Sequence, residues 1–231
     1  MKALRQIAAL TRKDFKLQFR SKETLVLIFV FSILVVLIFA FAYGQVFPTE
    51  TSDRGKLVAS VLWATFVFAG IITLNRSFAL ERTHGALHGI RLTGVDASNV
   101  YLSKVISNVV LLMSLEVIIT PITLQFFDLF HAVTLGRLLT LFGILSIGTI
   151  GFCAVGVLLA AMSTTTSGGE SLLSVILLPL VVPIIMSGAK CTVSILTTGA
   201  MEETYWLTML IVSSLVFFAS AYLLADVVIE Q

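Results

Sequence analysis

The sequence predicts an all-α membrane protein in which six transmembrane helices follow an N-terminal amphipathic interfacial helix. Three observations predict it. Of 231 residues, 58% are hydrophobic and 12% charged, about half the roughly 25% charged fraction of a soluble domain. The mean hydropathy is +1.04, and the apolar residues come in runs of about 18 to 25, long enough to cross a hydrocarbon core about 30 Å thick. The basic residues are also unevenly placed, with seven of the fifteen Lys and Arg in the first 23 positions. A net charge of +2 is too small to suggest a nucleic-acid partner.

Residues 2–20 open the chain as a helix. At about 100° per residue, Leu4, Ile7, Ala8, Thr11, Phe15 and Phe19 fall on one face and Lys2, Arg5, Arg12, Lys13, Lys16 and Arg20 on the other. Such a helix lies in the membrane interface, its basic face toward anionic headgroups or an acidic partner. The six spans are expected near Thr24–Tyr43, Leu57–Leu74, Val105–Phe127, Leu138–Met162, Leu172–Ala189 and Tyr205–Ala225. The first is a permanent anchor: although Ala40-Phe41-Ala42 imitates a cleavage site, the apolar run is too long for a signal peptide and 23 residues precede it. Alternate connections hold eleven Lys and Arg on one side against four on the other. The positive-inside rule then puts both termini in the cytoplasm, together with segments 75–104 and 163–171. The expected organisation is an interfacial helix over 1–23, a transmembrane domain over 24–225 and a short cytoplasmic tail over 226–231.

Segment 75–104 is too polar to cross and too patterned for a plain loop. A short charged helix around Ser77–His84 is expected to meet Gly85 and Gly89 and then a break at Thr93-Gly94, with Asp96 or Ser98 capping the third span. The small residues Gly85 and Ala86 let another surface approach the backbone closely. This is the form a coupling element takes in a transmembrane subunit driven by a separate ATPase; the alternative is a solvated hairpin between two spans. Arg76, Glu81, Arg82, Gly85 and Leu87 are the candidate coupling residues.

No GxxxxGK[ST] occurs, so the chain has no glycine-rich phosphate loop and ATP use falls to a partner. His84 and His88 have i, i+4 spacing but no evident third ligand, and His131 reads as polar surface in an outward loop. Cys153 and Cys191 sit in or beside apolar runs and read as small buried apolar residues. No catalytic pair such as HExxH or GxSxG is present, so no catalytic residue, directly bound cofactor or metal is assigned. Glu116 stands apart. An ionisable residue midway along a span is costly enough to be a functional candidate, with a hydrogen-bonded structural role as the alternative. Pro121, Pro179 and Pro183 lie within spans, where each frees a carbonyl and permits a kink.

Several passages together resemble the CcmB (haem exporter protein B) family: Lys13-Asp14-Phe15-Lys16-Leu17-Gln18-Phe19-Arg20; Leu62-Trp63-Ala64 and Phe68-Ala69-Gly70; Arg76-Ser77-Phe78-Ala79-Leu80-Glu81-Arg82 followed by Gly85-Ala86-Leu87; and Tyr101-Leu102-Ser103-Lys104. Gly148-Thr149-Ile150-Gly151-Phe152 with Gly156, and Leu177-Leu178-Pro179-Leu180-Val181-Val182-Pro183, extend the resemblance over nearly the whole chain. It implies an ABC-2-type permease subunit, not itself an enzyme, in the bacterial inner membrane. The implied role is to couple ATP hydrolysis by a partner to haem delivery, or to release of a haem-loaded chaperone, in cytochrome c biogenesis. The implied partners are a cytoplasmic ABC ATPase subunit (CcmA-like), a haem-handling membrane protein (CcmC-like), a small single-span protein (CcmD-like), a periplasmic haem chaperone (CcmE-like), membrane lipids and a second copy of the chain. With only Trp63 and Trp206 in place of a tryptophan-rich motif, haem is expected on the partner, as is ATP. Two other readings stay open: an ABC-2 exporter permease for lipid, drug or polysaccharide, and a proton-coupled carrier using Glu116.

Overall fold

The computed structural model describes residues 2–20, 22–43, 51–84, 96–163, 169–199 and 204–230. Seven α-helices carry them: α1 Lys2–Arg20, α2 Lys22–Tyr43, α3 Thr51–His84, α4 Ala97–Phe126, α5 Leu135–Ser163, α6 Gly169–Thr197 and α7 Thr204–Glu230. A single 3-10 turn, Phe130–Ala132, follows α4. No strand occurs among the described residues. Six of the helices, α2 to α7, are long and apolar enough to span a membrane, as the hydropathy pattern requires.

Helix α5 is the centre of the bundle. It is buried over most of its length and packs on α3, α4, α6 and α7, whereas α2 and α7 are mostly exposed along their apolar faces. Val30, Leu34 and Ile38 of α2, and Val212, Leu215 and Leu223 of α7, turn outward. Water would penalise such a surface and lipid does not, because apolar side chains have no reason to leave hydrocarbon.

Close packing without a hydrophobic drive needs small residues at the contacts. The Trp63 ring of α3 lies against Gly148 of α5 and Gly188 of α6, where an added methyl group would collide with it. Its indole N–H donates to Thr192 Oγ1 at 3.0 Å, so the one polar atom of a fully buried ring is satisfied. Gly70 accommodates the Phe152 ring and Gly156 accommodates Leu74. The Tyr101 hydroxyl of α4 donates to the Ala154 carbonyl of α5 at 3.0 Å. Cys153 and Cys191 are free and buried.

Two features differ from expectation. The charged helix around Ser77–His84 is not separate but continues the second span, so α3 runs unbroken for 34 residues. At 1.5 Å per residue this is about 50 Å, well beyond a 30 Å core. Charged side chains can extend a helix once it has left the hydrocarbon, because helix propensity does not require apolarity. Helix α4 starts at Ala97, directly after Asp96, as the expected cap position requires, and its polar first turns precede the apolar run from Val105. Asp96 holds the N-cap position but its side chain bonds no backbone N–H; it accepts instead from Asn99 Nδ2 at 3.2 Å.

The second difference concerns α1. Its protein-facing side is polar: Asp14 and Gln18 are buried while Leu4 and Ala8, on the predicted apolar face, are exposed. Arg5, Arg12 and Lys16 are exposed as expected. The helix thus has three faces, one packed on α4, one apolar and one basic, a pattern that a two-sided amphipathic reading does not resolve.

Candidate functional site

Glu116 occupies the middle of the bundle. It is 8% exposed and belongs to the face of α4 that packs on α5 and α3. Thr149 of α5 places Oγ1 2.6 Å from Glu116 Oε1 and 2.8 Å from the Leu145 carbonyl. A hydroxyl has one proton, so it serves one of these acceptors at a time. With Glu116 neutral, the acid proton goes to Thr149 Oγ1 and the threonine proton to Leu145. With Glu116 ionised, the threonine proton turns to the carboxylate. The pair therefore has two complete hydrogen-bond arrangements that differ by one proton.

Beside Glu116 is a cavity of about 20 Å³, lined by residues of α3, α4 and α5 that include Thr65, Phe66, Leu112, Ile119 and Thr120. Two of these linings, the hydroxyls of Thr65 and Thr120, are buried with no hydrogen-bond partner in the protein. Asn108 and Ser114, polar residues of the same span, are turned elsewhere: Asn108 Nδ2 donates to the Lys104 carbonyl at 2.8 Å and Ser114 Oγ to the Leu111 carbonyl at 2.6 Å. Thr149 was not foreseen, since nothing in a single sequence says which span faces Glu116.

A second polar cluster joins α1 to the first turns of α4. Lys104 Nζ lies 3.2 Å from Asp14 Oδ1, and both side chains are at most 5% exposed. Lys13 Nζ approaches the same oxygen at 3.4 Å, and Asn99 Nδ2 donates to Gln6 Oε1 at 3.2 Å. A buried ion pair gives little net stability, yet removing one partner leaves an uncompensated buried charge. The clue available in the sequence was a lone acid in a basic stretch and a lone lysine at the head of an apolar run.

The remaining candidates are spread out. Arg76 is exposed at the end of the spanning part of α3. Glu81 and Arg82 lie on the helical extension beyond it. Gly85 and Leu87 lie outside the described residues, as does His88. Pro121 sits in α4, and Pro179 and Pro183 in α6, inside helices that run through without interruption. None of the three prolines lines the Glu116 cavity. His131 is exposed in the 3-10 turn. Among the described residues no group of three His, Cys, Asp or Glu side chains converges to hold a metal ion.

The model of the CcmB protein family matches residues 5–226, spanning α1 and all six transmembrane helices. The chain is also similar to the heme exporter protein B of Bradyrhizobium diazoefficiens (strain JCM 10833 / BCRC 13528 / IAM 13628 / NBRC 14792 / USDA 110), with 24% identity over 190 residues, covering 82% of this chain and 82% of that protein.

Proposed function

This chain belongs to the CcmB protein family, and on that premise we propose that it is the transmembrane permease subunit of a haem-export ABC transporter serving cytochrome c biogenesis. The observation that carries the reading is the family match across every span, joined to a chain without a phosphate loop. Such a subunit contributes movement rather than chemistry. ATP is hydrolysed on a cytoplasmic ABC ATPase, haem is held by a haem-handling membrane protein aided by a small single-span one, and the cycle delivers haem to, or releases, a periplasmic haem chaperone.

Residues 76–95 are the contact with the ATPase. Their supporting feature is the α3 extension, which carries Glu81 and Arg82 past the end of the span by up to about 9 Å. Thrust on that extension enters α3 directly. It also reaches the first turns of α4, where Asp14 and Lys104 tie α1 to the same helix. Between α4 and α5, the Glu116–Thr149 pair is the polar contact that two packings of these helices would exchange. Both termini face the cytoplasm of a bacterial inner membrane in this reading.

Affinity purification of the tagged chain from membranes in mild detergent tests it. An ATP-hydrolysing subunit and a haem-binding membrane protein are expected to co-purify. Recovery of the chain with glycan- or lipid-export proteins and no such partners would overturn the assignment in favour of another ABC-2 exporter.

A further inference from the structure

A groove of about 420 Å³ opens on the outer side of the bundle where α2, α3 and α4 meet, within the 300–1,000 Å³ range of ligand pockets. Leu25, Ile28 and Phe29 of α2 form one wall, Leu111 and Ile118 of α4 the other, and Thr73 of α3 lies between them. It lies across Leu112 and Leu115 from the Glu116 cavity, these two residues lining both.

Its position in the membrane follows from the helices. Lys22 is one turn before Leu25 and Val26 and two turns before Phe29, so it heads the stripe that lines the groove. Phe29 lies seven residues, or about 10 Å, further along, within the half-thickness of about 15 Å that one leaflet of a 30 Å core provides. Arg76 is one turn beyond Thr73 at the same end of the bundle, because α2 and α3 are antiparallel neighbours joined through 44–50. Both Lys22 and Arg76 are exposed. Glu23, about 100° around the helix from Lys22, is also exposed and borders the stripe on the Val26 side.

An apolar slot that runs inward to about the level of Glu116, with two exposed cations at its mouth, matches one kind of molecule. We infer that the groove holds an acyl chain of an anionic glycerophospholipid whose phosphate pairs with Lys22 and Arg76. Anionic headgroups are attracted by such juxtamembrane basic residues, and the guanidinium of Arg76 can bind phosphate in bidentate fashion. The assignment to the cytoplasmic leaflet rests on the proposed orientation; the binding itself does not.

Native mass spectrometry of the full chain, delipidated and titrated with equimolar phosphatidylglycerol and phosphatidylethanolamine of identical acyl chains, tests this. The chain is expected to retain phosphatidylglycerol several-fold over phosphatidylethanolamine. Lys22→Gln combined with Arg76→Gln should bring the ratio near unity, and Ser114→Trp, which fills the groove, should remove retention of both. A photo-cross-linking amino acid at Ile118, used in membranes, should give an adduct one phospholipid heavier than the chain. An unchanged preference in the double variant overturns the headgroup assignment. A cross-linked dimer or an adduct with another protein at Ile118 shows that protein covers the groove, and overturns the lipid. Since detergent has no sidedness, a wrong orientation would leave the binding result intact and alter only the leaflet.

Discussion

A single proton distinguishes the two hydrogen-bond arrangements of Glu116 and Thr149. Burying an ionisable side chain near the midplane costs about 3 kcal/mol on insertion scales, and the hydrogen bond with the Thr149 hydroxyl at 2.6 Å offsets part of it. If exchange between the arrangements accompanies helix movement, Glu116→Gln is inactive because it mimics only the neutral acid, and Glu116→Leu is inactive because it mimics neither. Both variants are therefore predicted to lose cytochrome c maturation, read by haem staining, at normal protein levels. Full activity in the Gln variant would reduce the pair to a static hydrogen bond. Asp14 and Lys104 give a different prediction. Asp14→Leu leaves the Lys104 ammonium buried without its carboxylate and should lower stability by about 3–5 kcal/mol. Asp14→Leu combined with Lys104→Met removes both charges and should recover most of the loss in detergent unfolding midpoints. A double variant as unstable as the single one would show that the pair is not the source.

Elements were read from the sequence best where one physical cause dominated. Apolar runs of span length located all six crossing helices, since only a helix satisfies its backbone in lipid. The extent of α3 was missed because helix and hydrocarbon end at different places: 77–84 is polar yet continues the span, whereas the start of α4 was legible from the capping residue Asp96. The docking of α1 was not legible because its buried stripe is polar, centred on Asp14 and Gln18, and apolar periodicity marks only the face read toward the membrane interface. Glu116 was legible as an expensive residue, whereas Thr149 was not, since the facing of two spans is a tertiary fact. Motif residues such as Trp63, Gly148 and Phe152 turned out to be packing partners: the glycines give room to the rings. At this scale the α3 extension predicts that Gly85→Trp leaves membrane insertion intact and abolishes pull-down of the ATPase. Normal pull-down together with normal nucleotide-driven function would remove residues 76–95 from the coupling role.

For the whole molecule, a helical bundle with α5 at its centre and lipid-facing α2 and α7 is a body that can rock only through its interfaces, as expected of a subunit moved by a partner. Its proposed orientation rests on the eleven-to-four distribution of basic residues. A cysteine replacing Ser52 is predicted to react with an impermeant thiol reagent outside intact cells, and one replacing Thr83 to be protected; the native Cys153 and Cys191 are buried and contribute little background. The reverse labelling would invert the topology. The central claim, a permease subunit serving cytochrome c biogenesis, is tested most directly by haem-stained c-type cytochromes in a strain deleted for this chain. The account predicts that holo-cytochromes c are lost on deletion and restored by the wild-type chain; undiminished holo-cytochromes c in the deletion strain would contradict it.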